Sequence, residues 1–125
     1  MSPRAAGATQ HELSRIGLLA TLPGETLARL ASNMTREEIP AGTDILVEGE
    51  EGDRFYVVLS GMLTVSQKSR GAQSMLRPGD YFGEVALAMN VPRTASVRAL
   101  TPVTVASCDR ETFDEYIRPL FADNS

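Results

Sequence analysis

A chain of 125 residues is long enough for one hydrophobic core and too short for two. A formal net charge of −4 leaves no basic face for a phosphate backbone, which argues against nucleic-acid binding, and one cysteine excludes an internal disulfide and fits a reducing, cytoplasmic compartment. No uncharged apolar run approaches the roughly 18–20 residues of a membrane span, and there is neither a signal-peptide core nor a basic amphipathic helix, so no membrane insertion is expected from this segment.

Residues 1–10, MSPRAAGATQ, are small and polar without apolar period and are expected to form a flexible N-terminal arm, with the domain proper over 11–125. Leu27, Leu30 and Met34 then fall at helical spacing, and Pro23-Gly24 interrupts the region. The pattern predicts a short helix, a turn, and a second helix from about Glu25 to Asn33. After Met34 the period changes, and the stretch from Ile39 to Gln67 holds short runs of Val, Ile, Leu, Phe and Tyr, separated by Gly42, Gly49, Gly52 and Gly61. Leu63 and Val65 alternate with Thr64 and Ser66 as in a half-buried strand, whereas the unbroken run Phe55–Leu59 suits a strand buried on both faces. Further strand runs lie near Gln73–Leu76, Ala95–Leu100 and Val103–Cys108. About eight short strands with glycine turns predict a mainly β domain, an antiparallel jelly roll with flanking helices. Asp109 is a candidate N-cap for a C-terminal helix over about 110–121, with Phe113, Tyr116, Ile117 and Leu120 on one face and Pro119 set to end or kink it.

The stretch YFGEVALAMNVPRTASV, residues 81–97, places Glu84 and Arg93 in an otherwise apolar or small-residue span. Gly83 permits a tight turn, and Glu84–Ala88 suit one short helical turn, whose start offers free N–H groups to an anion. Arg93 follows Pro92, and its planar fork suits phosphate oxygens. A carboxylate beside an anion is explained if the ligand also carries hydroxyl donors, as a ribose phosphate does. Two readings of the pair stay open on these residues alone: a ribose-phosphate site, or an acid and an arginine that neutralise each other.

Phe82-Gly83-Glu84-Val85-Ala86-Leu87 followed by Pro92-Arg93-Thr94-Ala95-Ser96-Val97, with eight residues between glutamate and arginine, resembles the phosphate-binding cassette of the cyclic nucleotide-binding domain family. Glu48-Gly49-Glu50, Gly52-Asp53, Tyr56, Ser60-Gly61 and Pro78-Gly79-Asp80 resemble the family's other landmarks, so the likeness runs from about Leu18 to Phe121. The resemblance implies a jelly roll with N-terminal helices, a short cassette helix and a C-terminal helix. It implies that Glu84 accepts from the ribose 2′-OH and that Arg93 clamps the cyclic phosphate. Backbone N–H groups of Gly83, Ala86, Leu87 and Ala95 would complete the cradle, with Val85 and Thr94 also at the ligand. The expected ligand is cyclic AMP or cyclic GMP, with no other cofactor. A threonine beside the arginine goes with cyclic GMP preference in some members, yet cyclic AMP is favoured here. The family's closing lid helix is expected to be absent from this chain, and the effector is expected to be a linked or separate partner.

The remaining candidates carry little chemistry. His11 is the only histidine and reads as a surface residue, Cys108 as a small core hydrophobe, and Glu48, Glu50, Glu51 and Asp53 as a solvated acidic turn without EF-hand spacing. With no histidine cluster and no general base beside Ser14, Ser60 or Ser96, an enzyme is not expected. The alternative kept beside the regulatory domain is the same fold without nucleotide, acting as a docking or oligomerisation module.

Overall fold

β3 (Arg54–Ser60) is the strand from which two core layers are built. Successive side chains of a strand point to opposite faces. Phe55 and Val57 therefore enter a cluster shared with the helices, while Tyr56 and Val58 enter the space between two sheets. Its neighbour β8 (Val103–Asp109) divides the same way, with Ala106 and Cys108 toward the helices and Val103 and Val105 between the sheets. This is why the run Phe55–Leu59 is apolar without alternation. The computed structural model describes residues 7–122, without the side chains of Ala72, Gln73 and Ala122.

β1 (Thr35–Ile39), β8, β3 and β6 (Tyr81–Phe82) form one antiparallel sheet in the order β1-β8-β3-β6. β2 (Asp44–Leu46), β7 (Ser96–Ala99), β4 (Leu63–Gln67) and β5 (Gly71–Leu76) form the other, in the order β2-β7-β4-β5. The expected jelly roll is the observed fold. The strands begin earlier than Ile39, however, because β1 is an edge strand whose Thr35–Glu38 are exposed and can be charged.

The helices cover the outer face of the β1-β8-β3-β6 sheet. α1 (Gln10–Ser14), a 3-10 turn (Gly17–Leu19) and the link between them contribute Leu13, Leu19 and Ile16 respectively, and α2 (Gly24–Ser32) contributes Leu27, Leu30 and Ala31. The expected arm over 1–10 falls mostly on residues 1–6, which lie outside the described residues, but Ala8 is buried in the helical cluster, and Thr9 caps α1. Thr9 Oγ1 accepts from the Glu12 N–H and Glu12 Oε1 accepts from the Thr9 N–H, both at 3.0 Å, a reciprocal cap that orders this end.

At the C-terminus, Asp109 Oδ1 accepts from the Thr112 N–H at 2.9 Å and starts a helix of three segments: α4 (Arg110–Thr112), a π turn (Phe113–Ile117) and α5 (Arg118–Ala122). Pro119 does not end it. The wider π turn immediately before the proline changes the hydrogen-bond register, so the helix absorbs a residue that has no N–H to give. Phe113 and Ile117 are buried as expected, with Tyr116 and Leu120 packed beside them. The rings of Phe55, Phe113, Phe121 and Tyr81 close a circuit with centroid separations of 5.4, 6.4, 5.9 and 5.8 Å, tying β3 and β6 to the C-terminal helix. Phe55 has no exposed surface, so Phe55→Ala is expected to cost about 3–5 kcal/mol of unfolding free energy in a denaturant titration.

Candidate functional site

The cassette is assembled between the two sheets. β6 pairs with β3 so that Phe82 lies opposite Tyr56, and the two rings stack at 4.8 Å with planes 3° apart. The next residue, Gly83, adopts φ +91° and turns the chain into α3 (Glu84–Met89). A Cβ at Gly83 would come within 2.9 Å of the Arg54 carbonyl oxygen and 3.3 Å of Arg93 Nη1, so backbone conformation and space both require glycine. Asn90, at φ +54°, ends the helix, and its N–H donates to the Ala86 carbonyl. The chain then returns through Pro92 to Arg93. There the Arg93 N–H donates to the Glu50 carbonyl at 2.8 Å, and the Arg93 carbonyl accepts from the Gly49 N–H at 2.9 Å.

These bonds bury Arg93, which is 6% exposed. Its Nη1 donates to the Gly83 carbonyl and its Nη2 to the Arg54 carbonyl, both at 3.0 Å. Gly52 lies against the guanidinium, and a Cβ there would overlap it. Among the described residues no carboxylate comes within 4 Å of Arg93. Glu84 and Arg93 therefore do not neutralise each other. Two of five guanidinium donors are used on carbonyls, leaving three. Burial lowers the Arg93 pKa, with the charges of Tyr56, Asp53 and Glu84 acting the other way. Burial likewise raises the Glu84 pKa, opposed by its own backbone N–H and by the charge of Arg93.

The two charged groups face a cavity of about 210 Å³. Seven of the eight sequence-predicted site residues line it: Gly83, Glu84, Val85, Ala86, Arg93, Thr94 and Ala95. Leu87 does not. Its side chain is fully buried in the helical cluster, because α3 turns that face toward the C-terminal helix. The reading of the cassette did not identify the opposite wall, formed by Leu46, Val65, Leu76 and Val97 from the second sheet. Their signal was the inward period of β4 and β7, which marks core positions without telling a filled core from a hollow one. A larger hollow of about 390 Å³ outside the cassette exit is lined by Glu51, Asp53 and Arg110 among others, but by neither Glu84 nor Arg93. The smaller cavity, with a buried cation and an apolar wall, is the candidate site.

The far end of α3 is held by the C-terminal helix. The Leu87 carbonyl accepts from Arg110 Nη1 at 3.2 Å and Arg118 Nη2 at 2.9 Å, and the Ala88 carbonyl from Arg118 Nη1 at 3.1 Å. Cations suit the carbonyl end of a helix. Arg118 is aimed by Asp114 Oδ1, 2.8 Å from its Nε, and lies 5.6 Å from the Phe113 ring centroid. Neither arginine was singled out from the sequence as part of the cassette.

The other candidates stay minor. His11 is exposed, and burial pushes the Cys108 thiol up to about 12, which leaves it unreactive. Among the described residues no group of three His, Cys, Asp or Glu side chains is arranged to hold a metal ion, and no helix is long and apolar enough to cross a membrane.

Comparison with known proteins agrees with this geometry. The family described as the cyclic nucleotide-binding domain matches residues 36–119. A cAMP-dependent protein kinase regulatory subunit of Yarrowia lipolytica is 38% identical over 109 residues, covering 86% of this chain and 29% of that protein. The cGMP-dependent protein kinase egl-4 of Caenorhabditis briggsae is 36% identical over 114 residues, covering 86% of this chain and 15% of that protein. The regulatory domain of Toxoplasma gondii PKA, solved with cAMP, superposes with a TM-score of 0.85 at 27% identity, covering 89% of this chain and 44% of that one. This chain thus spans less than a third of the curated relatives it matches.

The direction of the Glu84 shift has a testable sign. A carboxyl whose pKa is raised on folding above its ordinary 4.5 destabilises the fold where it is charged and ceases to do so as pH falls. Without ligand, Glu84→Gln is expected to melt above the wild-type chain at pH 7. Scans at decreasing pH should show the difference shrink through the raised pKa and vanish below 4.5.

Proposed function

The chain belongs to the cyclic nucleotide-binding domain family, and from that premise we propose that it binds a 3′,5′-cyclic nucleotide between its sheets and passes the change to an effector. The observation that carries this reading is the guanidinium of Arg93, buried at one end of the cavity with no carboxylate within 4 Å among the described residues. A buried cation with no carboxylate in contact favours an anion beside it, and a cyclic phosphate meets that need. Glu84, half-buried on the same cavity, serves as acceptor for the ribose 2′-OH. The apolar wall of Val65 and Leu76 takes the base, and Thr94 stands exposed at the cassette exit. Cyclic AMP is favoured over cyclic GMP as ligand. Backbone N–H groups of Gly83, Ala86, Leu87 and Ala95 supply the rest of the phosphate cradle.

The role is regulatory rather than catalytic, exercised in the cytoplasm on a linked or separate partner. Transmission runs through α3. Phosphate at its first turn biases the helix position, and the other end reports the bias through Leu87, packed in the cluster that holds Phe113, and through the two arginines. The bistable element is the helix from Arg110 to Ala122, interrupted by the π turn.

Calorimetric titration with cyclic AMP and cyclic GMP tests the binding. Arg93→Ala is expected to lose about a hundredfold in affinity, the scale of a charge-assisted phosphate clamp, and equal affinity of variant and wild type would sink the assignment. For transmission, Arg118→Ala is expected to keep affinity within about threefold, as its surface ion pair allows, while amide shifts induced by ligand over residues 110–122 shrink. Phe113→Ala should also reduce these shifts, and unchanged shifts in both variants would remove this route.

A further inference from the structure

The inward row of β4 begins with Leu63, buried between the sheets, and continues with Val65 on the cavity wall; strand alternation makes Gln67 the next member. The ladder between β4 and β7 stops at Ser66 opposite Ser96, where the cassette leaves the sheet. One residue beyond, the side chain of Gln67 replaces the missing ladder bond. Its Nε2 donates to the Thr94 carbonyl at 2.8 Å. Two further bonds brace the same corner: the Glu48 N–H donates to Ser96 Oγ at 2.9 Å, and Glu48 Oε1 accepts from the Lys68 N–H at 2.8 Å. The ends of β2 and β4 and the cassette exit are thereby tied together.

The bond matters because of which peptide it holds. A peptide is planar and trans, so a carbonyl committed to Gln67 turns the Ala95 N–H of the same unit away from β4. That peptide is the second after Arg93, whose own backbone N–H and carbonyl are fixed from the other side by Glu50 and Gly49. Residues 93–95 are therefore held from the turn at Gly49 and Glu50 and from the end of β4 at once, and Gln67 is the side chain that supplies the second hold.

We propose that Gln67 is a positioning residue of the nucleotide site: by holding the Thr94 carbonyl it fixes the Thr94–Ala95 peptide and with it the phosphate end of the cassette beside Arg93. This rests on the nucleotide reading above. Gln67 acts through the backbone, so its influence falls on the phosphate end of the ligand.

The test is calorimetric titration of wild type, Gln67→Met and Gln67→Glu with cyclic AMP and with its Sp and Rp phosphorothioate diastereomers, alongside melting curves. Methionine keeps the length of the side chain and loses the donor; glutamate sets an acceptor against the carbonyl. Both variants are expected to bind cyclic AMP about five- to tenfold more weakly, the scale of one hydrogen bond. They should also change the ratio of Sp to Rp affinity, since those ligands differ only in which exocyclic oxygen is replaced. Wild-type binding with unchanged variants overturns the proposal alone, as does a uniform loss for all three ligands with the ratio preserved. Absence of wild-type binding to any of them overturns the nucleotide reading and the proposal together.

Discussion

A guanidinium taken out of water with no carboxylate within 4 Å among the described residues is the constraint around which this domain is arranged. Arg93 is held at the head group by the carbonyls of Gly83 and Arg54 and at the backbone by Glu50 and Gly49. The partners come from the cassette entry and from the turn and first residue of β3, two stretches about thirty residues apart that meet on one residue. Carbonyl dipoles offset only part of the desolvation of a cation. The two glycines in contact with it follow from the same requirement, since a side chain at position 52 or 83 would occupy the volume that the guanidinium needs.

α3 converts that local requirement into something the rest of the molecule feels. It has only six residues, too few to bend, so its two ends move together. One end carries Glu84 at the cavity; the other presents two carbonyls to Arg110 and Arg118, and its Leu87 is buried among the helices. The Phe55–Phe113–Phe121–Tyr81 circuit gives the C-terminal helix a second hold on the strands that flank the cassette. A displacement at the cavity end is thus opposed or permitted by a small set of side chains on one helix.

Much of this was legible in the amino-acid order, for identifiable reasons. An acid and an arginine stand out in an apolar span, and a glycine before the acid marks a turn, so the cassette can be read as a linear pattern. Strand alternation likewise exposes β4, and the unbroken run of β3 betrays burial on both sides. What escaped is what a linear pattern does not encode. β1 is charged because only one of its edges is paired, so hydrophobic period says nothing about it. The Thr9–Glu12 pair spells a helix start, a signal that a reading by apolar period does not weigh. Leu87 belongs to the cassette by position and to the helical core by direction, and only packing decides between them. The register change at Phe113–Ile117 has no residue signature, so Pro119 alone suggested a stop or a kink.

The sheet made of β1, β8, β3 and β6 is a partition one strand thick between the space shared by the two sheets and the helices. Residues adjacent in sequence on β3 thus answer to different neighbours: Tyr56 to Phe82 on one side, Val57 to the helical cluster on the other. Divergence at these two positions should be governed by separate sets of partners. A change at Tyr56 would be compensated at Phe82 and between the sheets, and a change at Val57 among the helices. Two lineages of selection can run along a single strand, one residue out of phase.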